Sequence, residues 1–449
     1  MTNAIRSQPL RVSSLSRSLA LTGIPIRAAS RNLAARIIGA VQGDAQLRRE
    51  RARALTAHDT RRTLGSLKGG ALKAGQLLST VESVFPQDPD GTWRQALTAL
   101  QQDNPTLDFA DIEPVLVADL GSNWRSNFLA FSEDAVAAAS IGQVYRAVWR
   151  DGRDVAVKVQ IPGISQALLS DVRVLSRVLR VSALLAPGVA MPPLVRELQT
   201  RVAAELDYQQ EATTQRRFAN AYRGDPEVVI PAVVHVGDQI LVTEWLPGHP
   251  LAAIATLGSA EQRDRAGLLY QRFFLQAPER TGLLHTDPHP GNFRLTEDGR
   301  LGVLDFGSAM ELPGGLPPTF GSLIAALQGD DPLLVRDRLA DQGLLRRGSL
   351  ADVRKLMDYL APFTEPARHE EFTFSREWLH ELFARAHDPR NPDFIVAMKL
   401  SLPAEQLFTH RVWLGIVGVL SSLGARLPVA SELRAYLPGF SGAQSARSS

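Results

Sequence analysis

The chain of 449 residues contains no cysteine, little lysine and no long apolar run. Without cysteine it has no disulfide, no thiolate metal site and no cysteine nucleophile, which is compatible with a reducing compartment. The best apolar candidate, at 412–425, is short and is interrupted by Ser421 and Ser422. A spanning helix needs about 20 predominantly apolar residues. We therefore expect a buried C-terminal helix there, and no transmembrane segment.

Acidic residues are absent from the first 43 positions. This segment carries six arginines: Arg6, Arg11, Arg17, Arg27, Arg31 and Arg36. It predicts either a solvated tail or a basic amphipathic segment on an anionic membrane surface, and it also has the composition of a mitochondrial transit peptide. A secretory signal is not expected, because no continuous apolar core precedes a cleavage site. The net charge of +2 does not indicate a nucleic-acid partner.

Lysine is scarce, since only five of the 49 basic residues are lysines. They are Lys68, Lys73, Lys158, Lys355 and Lys399. Because arginine serves here wherever a generic cation is enough, a retained lysine indicates a position that uses the compact ammonium group.

The local patterns predict four parts in order. They are a basic segment able to associate with membranes (1–60), a helical extension (61–130), a β-rich lobe (131–246) and a helical lobe (247–449). In the β-rich lobe, runs at 144–149 and 155–161 flank Asp151-Gly152, a hairpin signal. A long helix is expected from Pro192 through about Tyr222. The linker "EWLPG" joins the two lobes and predicts a cleft between them.

Phosphoryl transfer from ATP requires a phosphate lid, a lysine, a catalytic aspartate and magnesium ligands. Lys158 ends the strand pattern "VAVK" and would contact the α- and β-phosphates; the alternative is an edge-strand lysine facing water. The stretch "HTDPHPGN" (285–292) has the spacing H-x-D-x-x-x-x-N of a kinase catalytic loop. Asp287 would orient or deprotonate the acceptor, and Asn292 would bind a second magnesium. Asp305 of "LDFG" follows a small hairpin around Asp298-Gly299, where a magnesium ligand is expected.

A transition-metal site is the alternative for the same stretch. His285 and His289 have i,i+4 spacing, but Pro288 and Pro290 exclude the helix that would put both rings on one face. Oxygen ligands of the Asp305 and Asn292 type suit Mg²⁺ better. His285 is therefore expected to be structural.

The phosphate lid is alanine-rich: "AVAAASIGQV" at 135–144 replaces a glycine-rich loop. Because alanine disfavours positive φ, we expect this lid to be stiffer than a glycine-rich one, with only Gly142 flexible. The alternative is the start of an alanine-rich helix.

Several motifs together resemble the UbiB/AarF family of atypical protein-kinase-like proteins. They are "KAGQ" (Lys73 to Gln76), "AAASIGQV", "VAVK", "ELDYQQEA" (Glu205 to Ala212), "HTDPHPGN" and "DFG". The resemblance implies an α+β, bilobal protein-kinase-like fold with an N-terminal helical extension that covers the active site. It also implies that Lys73 and Gln76 point toward the nucleotide.

The resemblance further implies that a carboxylate pairs with Lys158. Glu211 is the expected partner, although Glu205 and Asp207 stay open as alternatives. Asp207 and Glu211 are i,i+4 and are expected to share a helical face, so either could reach the cleft. The predicted nucleotide-binding set is Ala137, Ala138, Ala139, Ser140, Gly142, Lys158, Glu205, Asp207, Glu211 and Glu244. Thr286 stands where family members commonly have alanine, and its hydroxyl is expected to add a hydrogen bond.

The expected function is an ATP- and Mg²⁺-dependent kinase or ATPase that supports isoprenoid-quinone or related lipid metabolism. No A-P-E-like anchor follows "DFG", which argues against a protein substrate docked in the usual way. The alternatives are a nucleotide-gated scaffold and, third, a small-metabolite phosphotransferase.

The expected partners are ATP, an isoprenoid lipid or quinone precursor and an anionic membrane surface. The expected location is cytoplasmic, peripheral at the inner face of the membrane. The oligomeric state is open, a homodimer included.

Overall fold

A computed structural model of the chain describes residues 107–139, 141–166, 168–169, 203–345, 352–387, 400 and 404–441. These residues form two compact units. The first extends to Gln209 and takes in His235–Val242, and the second comprises Gln210–Val234 and the residues from Thr243 onward.

The first unit contains helix α1 (Phe109–Leu120) and most of a five-stranded sheet. The helix is followed by a 3-10 turn (Trp124–Asn127), β1 (Phe128–Ala138), β2 (Gly142–Trp149) and β3 (Asp154–Gln160). Two more strands, β5 (Val233–Val236) and β6 (Ile240–Glu244), complete a sheet of order β1-β2-β3-β6-β5. The predicted hairpin is confirmed: β2 pairs antiparallel with β3, and Gly152 takes the positive φ of 91° that its turn requires.

One face of this sheet is apolar because side chains alternate along each strand. Val155, Val157 and Val159 are fully buried, whereas Lys158 between them is half-buried. Tyr145 on β2 projects to the same face as these valines and meets Phe109 of α1 edge-on at 5.8 Å. The sheet therefore has a face covered by α1 and an opposite face that carries Lys158.

The helix expected to run through Tyr222 is interrupted, so that prediction is wrong in this part. Residues 203–205 are helical, Leu206 and Asp207 are not, and a new helix, α2 (Tyr208–Ala221), follows. The physical reason lies 46 residues upstream, where Gln160 Nε2 donates to the Leu206 carbonyl at 2.9 Å. This long-range hydrogen bond satisfies the Leu206 carbonyl where the helical pattern is interrupted.

The second unit is mostly helical. After α2 its helices are α3 (Leu251–Leu257), α4 (Ala260–Thr281), α5 (Pro318–Leu327), α6 (Pro332–Asp341), α7 (Val353–Thr364), α8 (Arg376–His387), α9 (Ala404–Leu423) and α10 (Val429–Tyr436). Its short strands are β4 (Val228–Val229), β7 (His249–Pro250), β8 (Leu283–His285), β9 (Phe293–Leu295), β10 (Leu301–Val303), β11 (Ala309–Glu311), β12 (Phe372–Thr373) and β13 (Arg426–Leu427).

Helix α4 forms the centre of the second unit. Its start is fixed by a capping box, in which Ser259 accepts from the Gln262 amide and Gln262 bonds back to the Ser259 amide. Its end is fixed by Gly282 at φ 68°. Phe273 and Phe274, on the buried face, pack in the main apolar core. The helix leads directly into β8 and the "HTDPHPGN" stretch.

The C-terminal apolar segment forms part of α9, with Val412, Ile416 and Leu420 buried in the same core. This confirms the expected buried helix. No helix in the described ranges combines the length and apolarity that a membrane crossing requires.

Candidate active site

Asp287 follows β8 and is held by the turn that comes after it. Asn292 Nδ2 donates to Asp287 Oδ2 at 2.9 Å, and the His289 amide donates to Asp287 Oδ1 at 3.3 Å. His289 also accepts the Gly291 amide on Nδ1 and so starts the 3-10 turn Pro290–Asn292. Both carboxylate oxygens of Asp287 are therefore oriented by the loop itself. Sequence reasoning gave His289 no role, and its capping contact supplies one.

His285 connects this loop to the "LDFG" stretch, which is the bracing contact expected of it. Its Nε2 donates to the Asp305 carbonyl at 2.7 Å. The ring is 1% exposed and lies edge-on to Phe273, Phe274 and Phe306. Burial lowers the pKa of His285 from 6.5, because a charged imidazolium would lose its hydration among these rings. The histidine is thus a neutral structural link.

A second link joins the same two segments through Thr286. Its amide donates to the Ser308 carbonyl at 3.0 Å, and the Thr286 and Ser308 hydroxyls are 2.7 Å apart. The expected hydroxyl contact of Thr286 is therefore confirmed. Beside it, β8 pairs antiparallel with β11, with His285 opposite Ala309.

Asp305 and Asn292 lie at the two ends of the β9–β10 hairpin. The Leu304 amide donates to the Asn292 carbonyl at 2.9 Å, so the base of the hairpin is closed beside both residues. Asp305 Oδ1 accepts the Gly307 amide at 3.0 Å, which orients its carboxylate. The predicted hairpin is confirmed, with Gly299 at φ 77° in its turn.

Glu211 lies in the second unit near Asp305. It is 2% exposed, although it carries a carboxylate. A Cβ placed on Gly307 would lie 3.4 Å from Asp305 Oδ1 and 3.5 Å from Glu211 Oε2. The two carboxylates thus flank the same glycine. Asp207, by contrast, is exposed and precedes α2, so the shared helical face expected for Asp207 and Glu211 does not exist.

Lys158 lies on β3 in the first unit, opposite Val144 in the β2–β3 register. Its Nζ is 5.1 Å from the centroid of the Tyr208 ring, and Tyr208 is fully buried. The ring attracts the ammonium by a cation–π interaction. Val144 and Ala156 share the Lys158 face by strand alternation. Sequence reasoning missed Tyr208, although it is the aromatic residue of the "ELDYQQEA" motif.

The alanine lid is mostly strand. Ala137 and Ala138 belong to β1 and pair with Val144 and Gln143 of β2, which excludes the helical alternative. The Ala139 amide donates to the Gly142 carbonyl at 2.8 Å and closes a tight turn. Gly142 is not one of the glycines with a positive φ. A Cβ there would overlap the Val159 carbonyl and lie 3.1 Å from the Tyr208 hydroxyl. Gly142 therefore provides space rather than flexibility.

The remaining predicted residues are placed as follows. Glu205 is half-buried, one residue before the interruption. Glu244 ends β6, where its Oε2 accepts the Ala232 amide at 3.2 Å. Lys73, Gln76 and Ser140 lie outside the described residues. Over the described ranges, no three side chains from His, Cys, Asp and Glu come together as a metal-binding group.

Comparison with known proteins identifies the family. The model of the ABC1 atypical kinase-like domain matches residues 99–331, more than half of the chain. The chain is 32% identical over 256 residues to "Atypical kinase COQ8B, mitochondrial" of Danio rerio, which covers 56% of the chain and 40% of that protein. It is 33% identical over 264 residues to "Protein ACTIVITY OF BC1 COMPLEX KINASE 3, chloroplastic" of Arabidopsis thaliana, covering 57% of the chain and 36% of that protein. The chain thus matches less than half the length of either relative.

A solved structure extends the match. Rv3197 from Mycobacterium tuberculosis, determined in complex with erythromycin, is 37% identical with a TM-score of 0.68. The superposition covers 88% of this chain and 98% of Rv3197. The expected α+β kinase-like fold is thereby confirmed. The chain belongs to the ABC1 atypical kinase-like family, the UbiB-type family that its sequence motifs resemble.

Proposed function

We propose that the protein binds ATP with Mg²⁺ and transfers the terminal phosphoryl group to water or to a hydroxyl group of a small molecule or lipid. One observation carries this proposal. Asp287, Asn292 and Asp305 are fixed to one another by the Asn292–Asp287 side-chain bond and by the His285–Asp305 and Leu304–Asn292 bonds. A catalytic aspartate and two magnesium ligands in one rigid segment are what phosphoryl transfer requires.

The donor set fits magnesium. Asn292 and Asp305 offer an amide oxygen and a carboxylate, the hard oxygen ligands that Mg²⁺ prefers. Asn292 uses its nitrogen to hold Asp287, and its Oδ1 accepts no hydrogen bond from the described residues. Bound there, Mg²⁺ would neutralise phosphate charge. Asp287 would orient the attacking hydroxyl group or water and accept its proton. Lys158, held against Tyr208, would bind the phosphates.

The acceptor class we propose is small. Only residues 308–317 separate "DFG" from α5, and Ala309–Glu311 in this stretch are already paired as β11 with β8. So short a connection does not provide a long activation segment along which a peptide substrate could dock. The relative named atypical kinase COQ8B, together with the UbiB-type motifs, supports an isoprenoid quinone precursor or a related lipid.

We also propose that the arginine-rich residues 1–43 hold the protein at an anionic membrane surface, on the cytoplasmic side. This segment lies outside the described residues, and its charge supports the proposal. Flotation with anionic liposomes should recover the full chain and lose the form lacking residues 1–43. Equal flotation of both forms would remove the segment from the proposal.

A nucleotide-gated scaffold is the second candidate, because the alanine lid is held in strand geometry rather than as a flexible glycine loop. A bulky amphipathic ligand is a further possibility for the acceptor or effector, since Rv3197 was solved with erythromycin. A small-metabolite phosphotransferase without the extension is less compatible with the family match.

Phosphate release from ATP tests the proposal. It should require Mg²⁺ and should rise when vesicles containing a polyprenyl phenol are added; erythromycin serves as a separate arm. ATP-dependent thermal stabilisation without any turnover would favour the scaffold. Neither stabilisation nor turnover would contradict both candidates.

A further inference from the structure

Tyr208 is a fully buried residue that begins α2, directly after the interruption at Leu206 and Asp207. The centroid of its ring is 5.1 Å from Lys158 Nζ. Strand alternation turns Lys158 away from the face of the sheet that α1 covers. The Tyr208 ring therefore lies on the opposite face, where it covers part of the sheet around Lys158.

The same side chain also reaches the lid. Gly142 stands opposite Gln160 in the β2–β3 register, and Gln160 shares a face with Lys158 because side chains two residues apart on a strand point the same way. A Cβ placed on Gly142 would lie 3.1 Å from the Tyr208 hydroxyl oxygen. The missing side chain of Gly142 thus leaves the room that the Tyr208 hydroxyl group occupies, and one tyrosine lies beside both the lid and the ammonium group.

Gln160 fixes the segment from which Tyr208 projects. Its side chain is only 1% exposed, and a buried carboxamide is costly unless it finds hydrogen-bond partners. Its Nε2 donates to the Leu206 carbonyl at 2.9 Å, and the Ser165 hydroxyl lies 3.5 Å from its Oε1. Gln160 therefore ties Leu206, two residues before Tyr208, to the strand that carries Lys158.

We propose that Tyr208 is a positioning residue for phosphate binding: its ring holds the Lys158 ammonium group beside the lid glycine, and Gln160 holds the ring in place. This inference rests on the proposed function, in which Lys158 binds the phosphates. Lysine carries its charge on a flexible four-carbon stem, and the face of an aromatic ring attracts that charge. The ring thereby restricts the ammonium group before ATP arrives, so less conformational freedom is lost on binding.

Four variants separate the ring contact from general damage. Tyr208→Leu removes the ring face, and Tyr208→Phe keeps it without the hydroxyl group. Gln160→Met leaves both partners of the ring contact intact but releases the segment before Tyr208. Tyr222→Leu is the matched control, because Tyr222 is 3% exposed and its ring centroid lies 3.9 Å from the guanidinium carbon of Arg280. The control loses a buried tyrosine and a cation–π contact of the same kind, but not the contact with the lysine.

Equilibrium binding of ATP and of adenosine to the full-length protein tests the inference. A lysine that contacts phosphates affects the binding of ATP alone, whereas general damage to the site weakens the binding of both ligands. Tyr208→Leu and Gln160→Met should weaken ATP binding about fivefold, a factor within the range of cation–π energies, and should change adenosine binding less than about twofold. Tyr208→Phe should recover most of the ATP affinity, and Tyr222→Leu should keep the wild-type affinity.

Wild-type ATP affinity in Tyr208→Leu, an equal loss for ATP and adenosine, or the same loss in Tyr222→Leu would overturn the inference. If Tyr208→Leu does not fold, Gln160→Met decides between the same outcomes. A wild type that binds no ATP would count against the proposed function instead, and acylation of the lysine amines would then test the ring contact without a ligand. Because the ring stabilises the unreactive ammonium form, Lys158 should react severalfold faster in Tyr208→Leu than in the wild type, relative to the exposed Lys355. An unchanged ratio would overturn the inference.

Discussion

The prediction developed furthest concerns Gly415 of α9. A Cβ at this position would overlap the ring of Pro288, which stands between Asp287 and His289 in the "HTDPHPGN" stretch. Pro288 is also held through its backbone, because the Tyr270 hydroxyl donates to its carbonyl at 2.5 Å. Gly415→Ala should therefore place a methyl group against a loop whose movement is restricted.

Gly418 provides the control within the same helix. A Cβ there meets no atom within 4 Å among the described residues. Replacing glycine by alanine inside a helix stabilises by roughly 0.5–1 kcal/mol, and this gain applies to both variants. The overlap with Pro288 costs about 1–3 kcal/mol, as overpacking does elsewhere. The difference between the two variants therefore isolates the overlap.

Urea denaturation and ATP turnover together check this reasoning. Gly418→Ala should be as stable as the wild type or more so, with unchanged kcat. Gly415→Ala should be less stable than Gly418→Ala by about 1–3 kcal/mol, and its kcat should fall about tenfold because Asp287 is displaced. Equal stability and equal kcat in the two variants would refute the supporting role given to Gly415.

Three further changes probe individual contacts. Thr286→Val removes the hydroxyl bond to Ser308 and should lower the free energy of unfolding by about 1 kcal/mol. Its kcat should fall severalfold with an unchanged KM for ATP, and an unchanged kcat would show that the bond does not orient the loop. Because burial lowers the pKa of His285 from 6.5, the stability that neutral His285 contributes is present above that pH and is lost as the pH falls below it. In urea titrations, His285→Gln should therefore lose stability less steeply than the wild type between about pH 6.5 and 5, by up to about 1.4 kcal/mol per pH unit. A parallel loss in the two proteins would contradict the buried neutral state. Arg272→Met leaves the buried Glu432 without its cation, whereas Glu227 keeps the Arg265 guanidinium at 3.6 Å, and this change should cost about 3–5 kcal/mol. Arg354→Met, which breaks the exposed pair with Asp330, should cost under about 1 kcal/mol; similar losses in urea denaturation would be the contrary result.

Local sequence signals predicted the hairpins well. The turns at Gly152 and Gly299 require a positive φ, and this requirement acts within a few residues, so turn chemistry alone located both turns. The order of Lys158, Asp287, Asn292 and Asp305 indicated phosphoryl-transfer chemistry, because the spacing between motifs is a property of the sequence itself.

Long-range contacts were not predictable in the same way. The break before Tyr208 depends on Gln160, which is distant in sequence, and no proline or glycine marks it. Thr286 was expected to form a hydrogen bond, but its partner Ser308 is 22 residues away and only the fold brings them together. The spacing of Asp207 and Glu211 suggested a common face, yet this argument holds only inside a continuous helix.

The central claim is that Asp305 binds the metal that phosphoryl transfer requires. The most direct measurement is single-turnover cleavage of ATP labelled at the γ-phosphate, with the protein in excess and Mg²⁺ varied, in the wild type and in Asp305→Asn. The wild type should release or transfer the labelled phosphoryl group in a Mg²⁺-dependent reaction. Asp305→Asn should be slower on the order of a hundredfold at equal bound ATP, the size of effect seen when one charge-stabilising group is removed from an active site. Cleavage by Asp305→Asn at the wild-type rate would contradict the claim.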